Sequence, residues 1–518
     1  MGFGVSRAYQ QRFVDHDLPE AWRAGHKSVF LVLPVSGGKT RCSRLVAERL
    51  LGAGRWDVWY LAHRRELVEQ PAKEFAHLSP AVFLAGLPTP KPASLRIAGR
   101  DTLLRREITP IRDKCFLIID EAHRSVGDGY MKLIARFREL YRVVYILLTS
   151  ATPYRLDGRA IGAVADTLVE PTNPRQLMDA GVIHEPLVKS VESIDAHGLP
   201  VRRGDFVSSE LEVRAKKLSG NVVAEWLRWC DGYPGVVRAV SVAHSKALAE
   251  RFAAAGLRSA HLDGETPIAE RNRILARLAI GGQIAGNAEG IDVLCQVDVA
   301  SEGWNPPSDY ERALELWGDK TPPYVPICIL SDARPTMSAC GYRQFEGRGC
   351  RTSSALIETS RGPRPALPKP WFRFLDHAKN YERHGFLEDH FGFSLDGGAP
   401  TSRAPRDKRG LVSARYCPAC LSVWPGNCSV CACGAALAQP KIAEETEEKL
   451  GSVARVVDVS SPKLAGELLA NVYRSVLRKR GESMNERQVA AIYHGMTKKW
   501  PTRAEMQEAR RRALSDGQ

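Results

Sequence analysis

The chain has 518 residues, of which 44% are hydrophobic and 25% charged, and a formal net charge of +14. Those proportions suit a folded globular protein and exclude collagen, a disordered chain and a small disulfide scaffold. At about 150 residues per domain the length predicts three to four domains, and the positive excess fits either a polyanionic partner or simply a soluble protein of high isoelectric point.

Taken in order, the chain alternates short apolar runs with amphipathic stretches. Ser28–Leu33, Val58–Leu61, Phe116–Ile119 and Val143–Leu148 read as strands, while Arg41–Leu51 and Arg64–His77 read as helices. The alternation predicts a parallel sheet with crossover helices. It returns further on, with strands at Val236–Val242 and Ile291–Val297 and helices at Lys246–Ala255 and Ile268–Leu278. Two α/β units of similar size are therefore expected. Gly281–Gly290 reads as a loop, and the Pro-rich Arg361–Pro370 and the basic Gly397–Gly410 as linkers or surface loops. After Pro440 the pattern turns helical, with Leu464–Leu477 and Glu486–Tyr493 as candidates. The longest apolar run, Val143–Leu148, falls far short of the roughly 18 residues that span a bilayer. The opening MGFGVSRAYQQRF lacks the apolar centre of a signal peptide, so a cytoplasmic protein is expected.

Of the 12 cysteines, Cys42, Cys115, Cys230, Cys295, Cys328, Cys340 and Cys350 stand singly, as buried thiols do in a reducing compartment. The other five crowd between Cys417 and Cys433, a density that suits a metal site better than disulfides.

The chemistry begins at Leu33–Thr40, LPVSGGKT, between an expected strand and an expected helix. Small residues there let backbone N–H groups turn inward around a phosphate, and the helix start adds positive potential. Lys39 would reach the β- and γ-phosphates and Thr40 would hold Mg²⁺. Downstream, Phe116–His123 (FLIIDEAH) ends an apolar strand on two acids. Carboxylates at the carboxyl end of a parallel strand lie where open α/β sheets bind ligands. Asp120 can meet Mg²⁺ and Glu121 can polarise an attacking water. Read alone, Asp-Glu would be a plain helix cap; the apolar strand before it and the upstream phosphate loop argue otherwise.

With these residues in view, the chain resembles a superfamily 2 helicase of the DEAH-box type. Lys39-Thr40 matches motif I, Asp120-Glu121-Ala122-His123 motif II, and Thr149–Arg155 (TSATPYR) motif III. In that family Ser150 and Thr152 couple hydrolysis to strand movement. Arg7–Gln11 (RAYQQ) resembles the glutamine motif, with Gln10 reading adenine, and Leu61–Gln70 resembles motif Ia. Ser241–Ser245, Leu262–Thr266, Val297–Pro307 and Tyr342–Arg351 resemble motifs IV, IVa, V and VI. The last supplies Gln344, Gly347, Arg348 and Arg351. A loose phosphoryl-transfer transition state needs cations from across a cleft, and arginine is always charged and can bind bidentately. Arg348 and Arg351 are the expected arginine fingers. By resemblance, Arg7, Gln10, Val35, Ser36, Gly37, Gly38, Lys39, Thr40, Gly303 and Asn305 form the nucleotide site. Lys39, Asp120, Glu121, His123, Gln344, Arg348 and Arg351 form the catalytic set. Two positions depart from the family: Val35-Ser36 replaces Thr-Gly in the phosphate loop, and Asn305 replaces an aspartate in motif V. A residue at Ser36 with φ above zero would carry strain.

Within the superfamily the match is to RadD-like DNA helicases, through Ala151–Gly158, Arg202–Phe206, Phe374–Phe386, the cysteine cluster and the ending near Lys499-Trp500-Pro501. The resemblance implies two tandem RecA-like domains at 1–185 and 186–395, a basic linker at 396–415, a small zinc-ribbon-like four-cysteine unit at 416–440 and a helical region at 441–518. It implies ATP and Mg²⁺ as cofactors and single-stranded or forked DNA, rather than RNA, as partner. It also suggests a single-strand-binding protein as a further partner, a monomer and no membrane. The host would be a bacterial cell or a virus-infected one.

Cys417–Gly434 reads Cys-x2-Cys, seven residues, then Cys-x2-Cys-x-Cys. Four thiolates on two turns suit tetrahedral Zn²⁺. Cys417 and Cys420 form one half. Cys428, Cys431 and Cys433 compete for two places in the other: Cys428–Cys431 has the usual separation and Cys433-Gly434 the usual ending. Nearby Arg403, Arg406, Lys408, Arg409, Arg415 and Trp424 fit either nucleic-acid contact or a solvated linker. The basic runs Arg478–Arg480 and Arg510–Arg512 read as solvated helix faces. The expected function is an ATP-dependent helicase or translocase acting on DNA in repair, recombination or replication. The alternatives are an RNA-directed helicase, or a clamp or scaffold with a weakened ATP site, the last resting on Val35, Ser36 and Asn305.

Overall fold

The computed structural model describes residues 7–153, 159–189, 205–297, 306–389, 411–431, 433–437 and 501–515, together with 191, 194, 196, 198–202, 299, 304, 393–396, 406 and 469. The first sheet contains β1 (Ser28–Val32), β2 (Trp56–Ala62), β3 (Ala81–Phe83), β4 (Leu95–Gly99), β5 (Lys114–Asp120), β6 (Val143–Ser150) and β7 (Thr167–Val169), in the spatial order β3-β4-β2-β5-β6-β1-β7. All its pairings are parallel. A parallel sheet is covered on both faces, which is why β1 and β5 are continuous apolar runs rather than alternating ones. One face packs on Tyr130, Leu133, Ile134 and Phe137 of the Asp128–Leu140 helix. The other packs on Cys42, Val46, Ala47 and Leu50 of the Lys39–Gly52 helix.

The second sheet starts with β8 (Pro186–Lys189), and a two-residue-strand hairpin, β9 (Val201–Arg202) and β10 (Asp205–Phe206), follows. Next come β11 (Gly235–Arg238), β12 (Ser259–Leu262), β13 (Val293–Gln296) and β14 (Ile329–Asp332). A hairpin of β15 (Leu356–Thr359) and β16 (Gly362–Pro365) leads to β17 (Phe372–Asp376). The sheet order is β12-β13-β11-β14-β17-β8, again all parallel. Two parallel α/β units thus follow one another, as the alternation predicts. The two units meet at a boundary. Arg271 and Glu66 pair across it at 3.4 Å. Beyond β17 the chain returns to the first unit, where Leu395 accepts a hydrogen bond from the Gly162 N–H at 2.8 Å and Phe393 packs on its core.

One expected strand needs correction. β11 ends at Arg238, and Val242 opens the Val242–Ala254 helix instead of closing a strand. The reason is Ser241, whose Oγ caps the helix by accepting the His244 N–H at 3.1 Å. The helical candidates Leu464–Leu477 and Glu486–Tyr493 lie outside the described residues, apart from Leu469. A helix is described at Arg503–Ser515. Among the described residues no helix is long and apolar enough to cross a membrane.

Candidate nucleotide site and cysteine cluster

The phosphate loop runs from the end of β1 into the Lys39–Gly52 helix, and the N-terminal helix braces it. Gln10, buried at 1% exposure, donates through Nε2 to the Gly37 carbonyl at 3.3 Å, and Tyr9 donates its hydroxyl to the same oxygen at 2.7 Å. Arg7 caps this arm: its N–H reaches Gln10 Oε1 at 3.0 Å and its Nη1 the Tyr9 hydroxyl at 3.2 Å. Gly38 sits at φ +85°, and a Cβ there would lie 2.3 Å from Gln10 Nε2. Only glycine closes the loop at that point. Ser36 takes φ +66°, the left-handed region, which costs a non-glycine residue about 1–2 kcal/mol. A glycine at this position would take the same backbone without that cost.

Asp120 closes β5 and is buried. Its Oδ1 accepts from the Thr149 hydroxyl at 2.9 Å and from the Glu121 N–H at 3.0 Å. Burial and the neighbouring Glu121 charge raise the Asp120 pKa, and Lys39 opposes them. A cation at this carboxylate would relieve that cost, so Asp120 with Thr40 fits Mg²⁺. Glu121 turns at φ +48° just before the Ala122–Arg124 turn and makes no side-chain cap bond to it. His123 Nδ1 lies 3.1 Å from Ser150 Oγ and 3.5 Å from Glu121 Oε2. Ser150 Oγ in turn accepts the Thr152 N–H at 3.1 Å. One chain of contacts therefore links the acidic pair to the end of β6.

The second unit meets this site with the Ala339–Gly349 helix, capped by Ser338, whose Oγ accepts the Gly341 N–H at 3.1 Å. Arg238 fixes the helix: paired with Asp332 at 2.8 Å through Nε, it also donates to the Gly341 carbonyl at 3.2 Å. Gln344 Nε2 donates to Glu121 Oε2 at 3.4 Å. Gly347 abuts Val35 so closely that a Cβ would fall 2.5 Å from the Val35 Cβ. Ser36 Oγ donates to the Gly347 carbonyl at 3.3 Å and accepts from Arg351 Nε at 3.3 Å. Arg348 Nη1 holds the Trp304 carbonyl at 2.7 Å. Burial and the Arg348 charge bring the Arg351 pKa down to about 10, still charged at neutral pH. Thr152 Oγ1 and Cys340 Sγ touch across the same boundary at 2.9 Å.

Lys39 opens the Lys39–Gly52 helix, directly after Gly38, and Thr40 follows it. Gly303 and Asn305 lie outside the described residues, as do Tyr154 and Arg155. Three contributors have no role assigned from the sequence. Tyr9, Thr149 and Arg238 brace the phosphate loop, Asp120 and the arginine helix. Tyr9 and Thr149 lie within the motif segments Arg7–Gln11 and Thr149–Arg155 but have no role assigned there; Arg238, at the end of an apolar strand, has only its buried-strand position as a signal.

In the Cys-rich unit, β18 (Ala414–Tyr416) and β19 (Val423–Pro425) form an antiparallel ribbon. The thiols of Cys417, Cys420, Cys431 and Cys433 all lie within 4.8 Å of one another. The Cys417–Cys433 and Cys420–Cys431 pairs are each at 3.5 Å. Tetrahedral Zn²⁺ with Zn–S of about 2.3 Å asks for S···S near 3.8 Å, so the four thiols fit that ion. Cys428 is the fifth candidate and stays outside the group, its thiol turned to Asn427 Oδ1 at 3.9 Å. The turn at Gly434, with φ +84°, favours the Cys431–Cys433 pair. Lys189 on edge strand β8 anchors the unit through Nζ, to the Cys420 carbonyl at 3.0 Å and Ser422 Oγ at 2.8 Å. Burial opposes ionisation of Cys420, but Ser422 and the Lys189 charge outweigh it and bring that thiol down to about 6.

Residues 4–155 match the family model of the type III restriction enzyme, res subunit. A "51.5 kDa protein" of a Lactococcus phage (isolate 7-9) is 24% identical over 445 residues, covering 84% of this chain and 83% of its own length. The solved structure of the ATP-dependent Type ISP restriction-modification enzyme LlaBIII bound to DNA superposes with a TM-score of 0.50 at 15% identity. That match covers 72% of this chain and 27% of the larger one. The fold is that of a RecA-like core, two parallel α/β units in tandem. Its two sheets are the RecA-like halves, and Ser36 and Glu121 of the first meet Arg351 and Gln344 of the second between them. A Saccharomyces cerevisiae protein described as "Putative ATP-dependent helicase IRC3" is 24% identical over 367 residues, 67% of this chain. This chain spans about half, 49%, of that relative's length.

Proposed function

We propose that this RecA-like core is an ATP-dependent nucleic-acid motor that works on DNA, in repair, recombination or replication, and that it belongs with the RadD-like DEAH-box proteins. The observation that carries the reading is the contact of the second half with the phosphate loop and the acidic pair of the first: Arg351 on Ser36 at 3.3 Å and Gln344 on Glu121 at 3.4 Å. Residues that must act on one γ-phosphate are already gathered from both sides. Lys39 and the loop N–H groups hold the phosphates, Gln10 and Arg7 the base side, and Thr40 with Asp120 the Mg²⁺ that would neutralise phosphate charge. Glu121 orients and deprotonates water, Gln344 fixes Glu121, and Arg348 with Arg351 stabilises the charge on the transferring phosphoryl group. His123, Ser150 and Thr152 relay the state of the site towards the nucleic-acid path, and Gly303 and Asn305 complete the nucleotide pocket.

The domain limits 1–185, 186–395, 396–415, 416–440 and 441–518 belong to the same proposal, as does a structural Zn²⁺ on Cys417, Cys420, Cys431 and Cys433. So do a monomeric motor, a single-strand-binding protein as partner and a cytoplasmic setting in a bacterial or phage-infected cell. The nucleic-acid path crosses both halves and grips phosphates, so binding weakens steeply with salt and reads little sequence. ATP-dependent release of a labelled strand from forked DNA and from forked RNA tests this. Strand release, or ATP-driven displacement of a bound block without release, that vanishes in Lys39→Ala supports a motor. Neither event on either polymer sinks it, and faster action on RNA reverses the substrate assignment.

A further inference from the structure

Tyr60 is fully buried in the middle of β2. β2 runs parallel to β5 with Tyr60 opposite Ile118. Side chains alternate along a strand, so Tyr60 shares its sheet face with Ile118 and, one step on, with Asp120. The Lys39–Gly52 helix, which begins at the phosphate loop, covers that face. An edge contact with Phe75, ring centres 5.7 Å apart, sets the phenol ring. Its hydroxyl is buried and, among the described residues, has no hydrogen-bond partner. It stands beside the Asp120 carboxyl and the Thr40 hydroxyl and interacts with both, short of full hydrogen-bond geometry. Asp120 Oδ1 is already occupied by Thr149 and the Glu121 N–H. Leaving a buried hydroxyl unpaired is costly, and phenylalanine would fill the same space without it. The hydroxyl therefore points to a ligand-bound state in which it has a partner.

We infer that Tyr60 is a positioning residue for the metal–nucleotide site, donating its O–H to Asp120 Oδ2 and so orienting the carboxylate that meets the ion. The inference rests on the proposed ATP site and extends it to a side chain that no helicase motif contains. Its chemical target is a divalent cation carried on a nucleoside triphosphate.

Tyr60→Phe tests it, because the ring and its contact with Phe75 remain. Binding of a fluorescent ATP analogue to the full chain is titrated with Mg²⁺ and repeated in EDTA, beside a thermal melt. The expected result is a rise of about tenfold in the Mg²⁺ concentration for half-maximal binding, the size of a lost hydrogen bond to a charged group. Affinity in EDTA stays unchanged, and Tm is equal or higher because an unpaired hydroxyl has gone. An unchanged Mg²⁺ dependence overturns the inference, and so does an equal loss with and without Mg²⁺, which marks a packing role. A wild type that binds no nucleotide with or without Mg²⁺ overturns the ATP reading itself and this inference with it. That outcome is distinct, because it appears before any variant is made.

Discussion

Arg351 of the second unit donates through Nε to the Ser36 hydroxyl in the phosphate loop of the first, at 3.3 Å. A neutral hydroxyl is a weak partner for a half-buried guanidinium, and a γ-phosphate at the same place would be a much stronger one. Arg351→Ala is expected to lower ATP hydrolysis by about a thousandfold, the lower end for an arginine finger, while nucleotide affinity changes by only a few-fold. Ser36→Gly, in contrast, removes a strained φ and two weak contacts, to the Gly347 carbonyl and from Arg351. Its Tm should be equal or higher and its hydrolysis within about threefold of wild type. Steady-state kcat and KM for the two variants decide. Equal losses in both would make Ser36, and not the arginine, the group that matters.

Zinc content separates the thiols. One Zn²⁺ per chain is expected for the wild type and for Cys428→Ser, since Cys428 stands outside the cluster. Cys417→Ser and Cys433→Ser should lose most of it. Because Lys189 ties the cluster to β8 of the second sheet, chelation should also lower Tm. Elemental analysis of the purified chains is the check, and loss of zinc in Cys428→Ser would reject the assignment.

The acidic lining behind the arginine helix gives a pH signature. Burial, with Asp389 and Glu185 nearby, raises Glu388 to about 7. The folded chain then holds a proton that the unfolded chain has released, so this group's contribution is full below about pH 4.3 and is lost as pH rises through 7. His184 and His384, both lowered to about 4 by burial, act in the opposite sense, losing stability as pH falls. Comparing Glu388→Gln with wild type removes that background. The variant's Tm relative to wild type should climb between pH 4.5 and 7.5; a constant difference would contradict the assignment.

How much of this was legible in the sequence follows from the physics of each element. β1, β2, β5 and β6 are buried on both faces, so their apolar runs stood out. β3, β7, β9 and β10 have only two or three residues each, too short for a pattern. β12, SAHL, is half-exposed at a sheet edge and lacks such a run. The Ser208–Trp229 helix carries Ser, Gly and Asn in its middle, which hide its period. The chemical motifs survive because phosphate cradles and paired carboxylates demand fixed residue types. The zinc half-site did not resolve, because Cys428 and Cys433 stand at comparable spacings from Cys431 and only the Gly434 turn separates them. Ser36 shows the remaining gap: its identity is visible in the sequence, but its φ and its bond to Arg351 belong to the packed pair of domains.

An ATP-dependent nucleic-acid motor hydrolyses ATP faster when its nucleic acid is bound. The most direct measurement is steady-state ATP hydrolysis at rising concentrations of single-stranded DNA, with Glu121→Gln alongside. The expected result is a saturable, salt-sensitive stimulation in the wild type and a rate about a hundredfold or more lower in the variant, the range for loss of a general base. A wild-type rate that no polynucleotide raises above the Glu121→Gln level would contradict it.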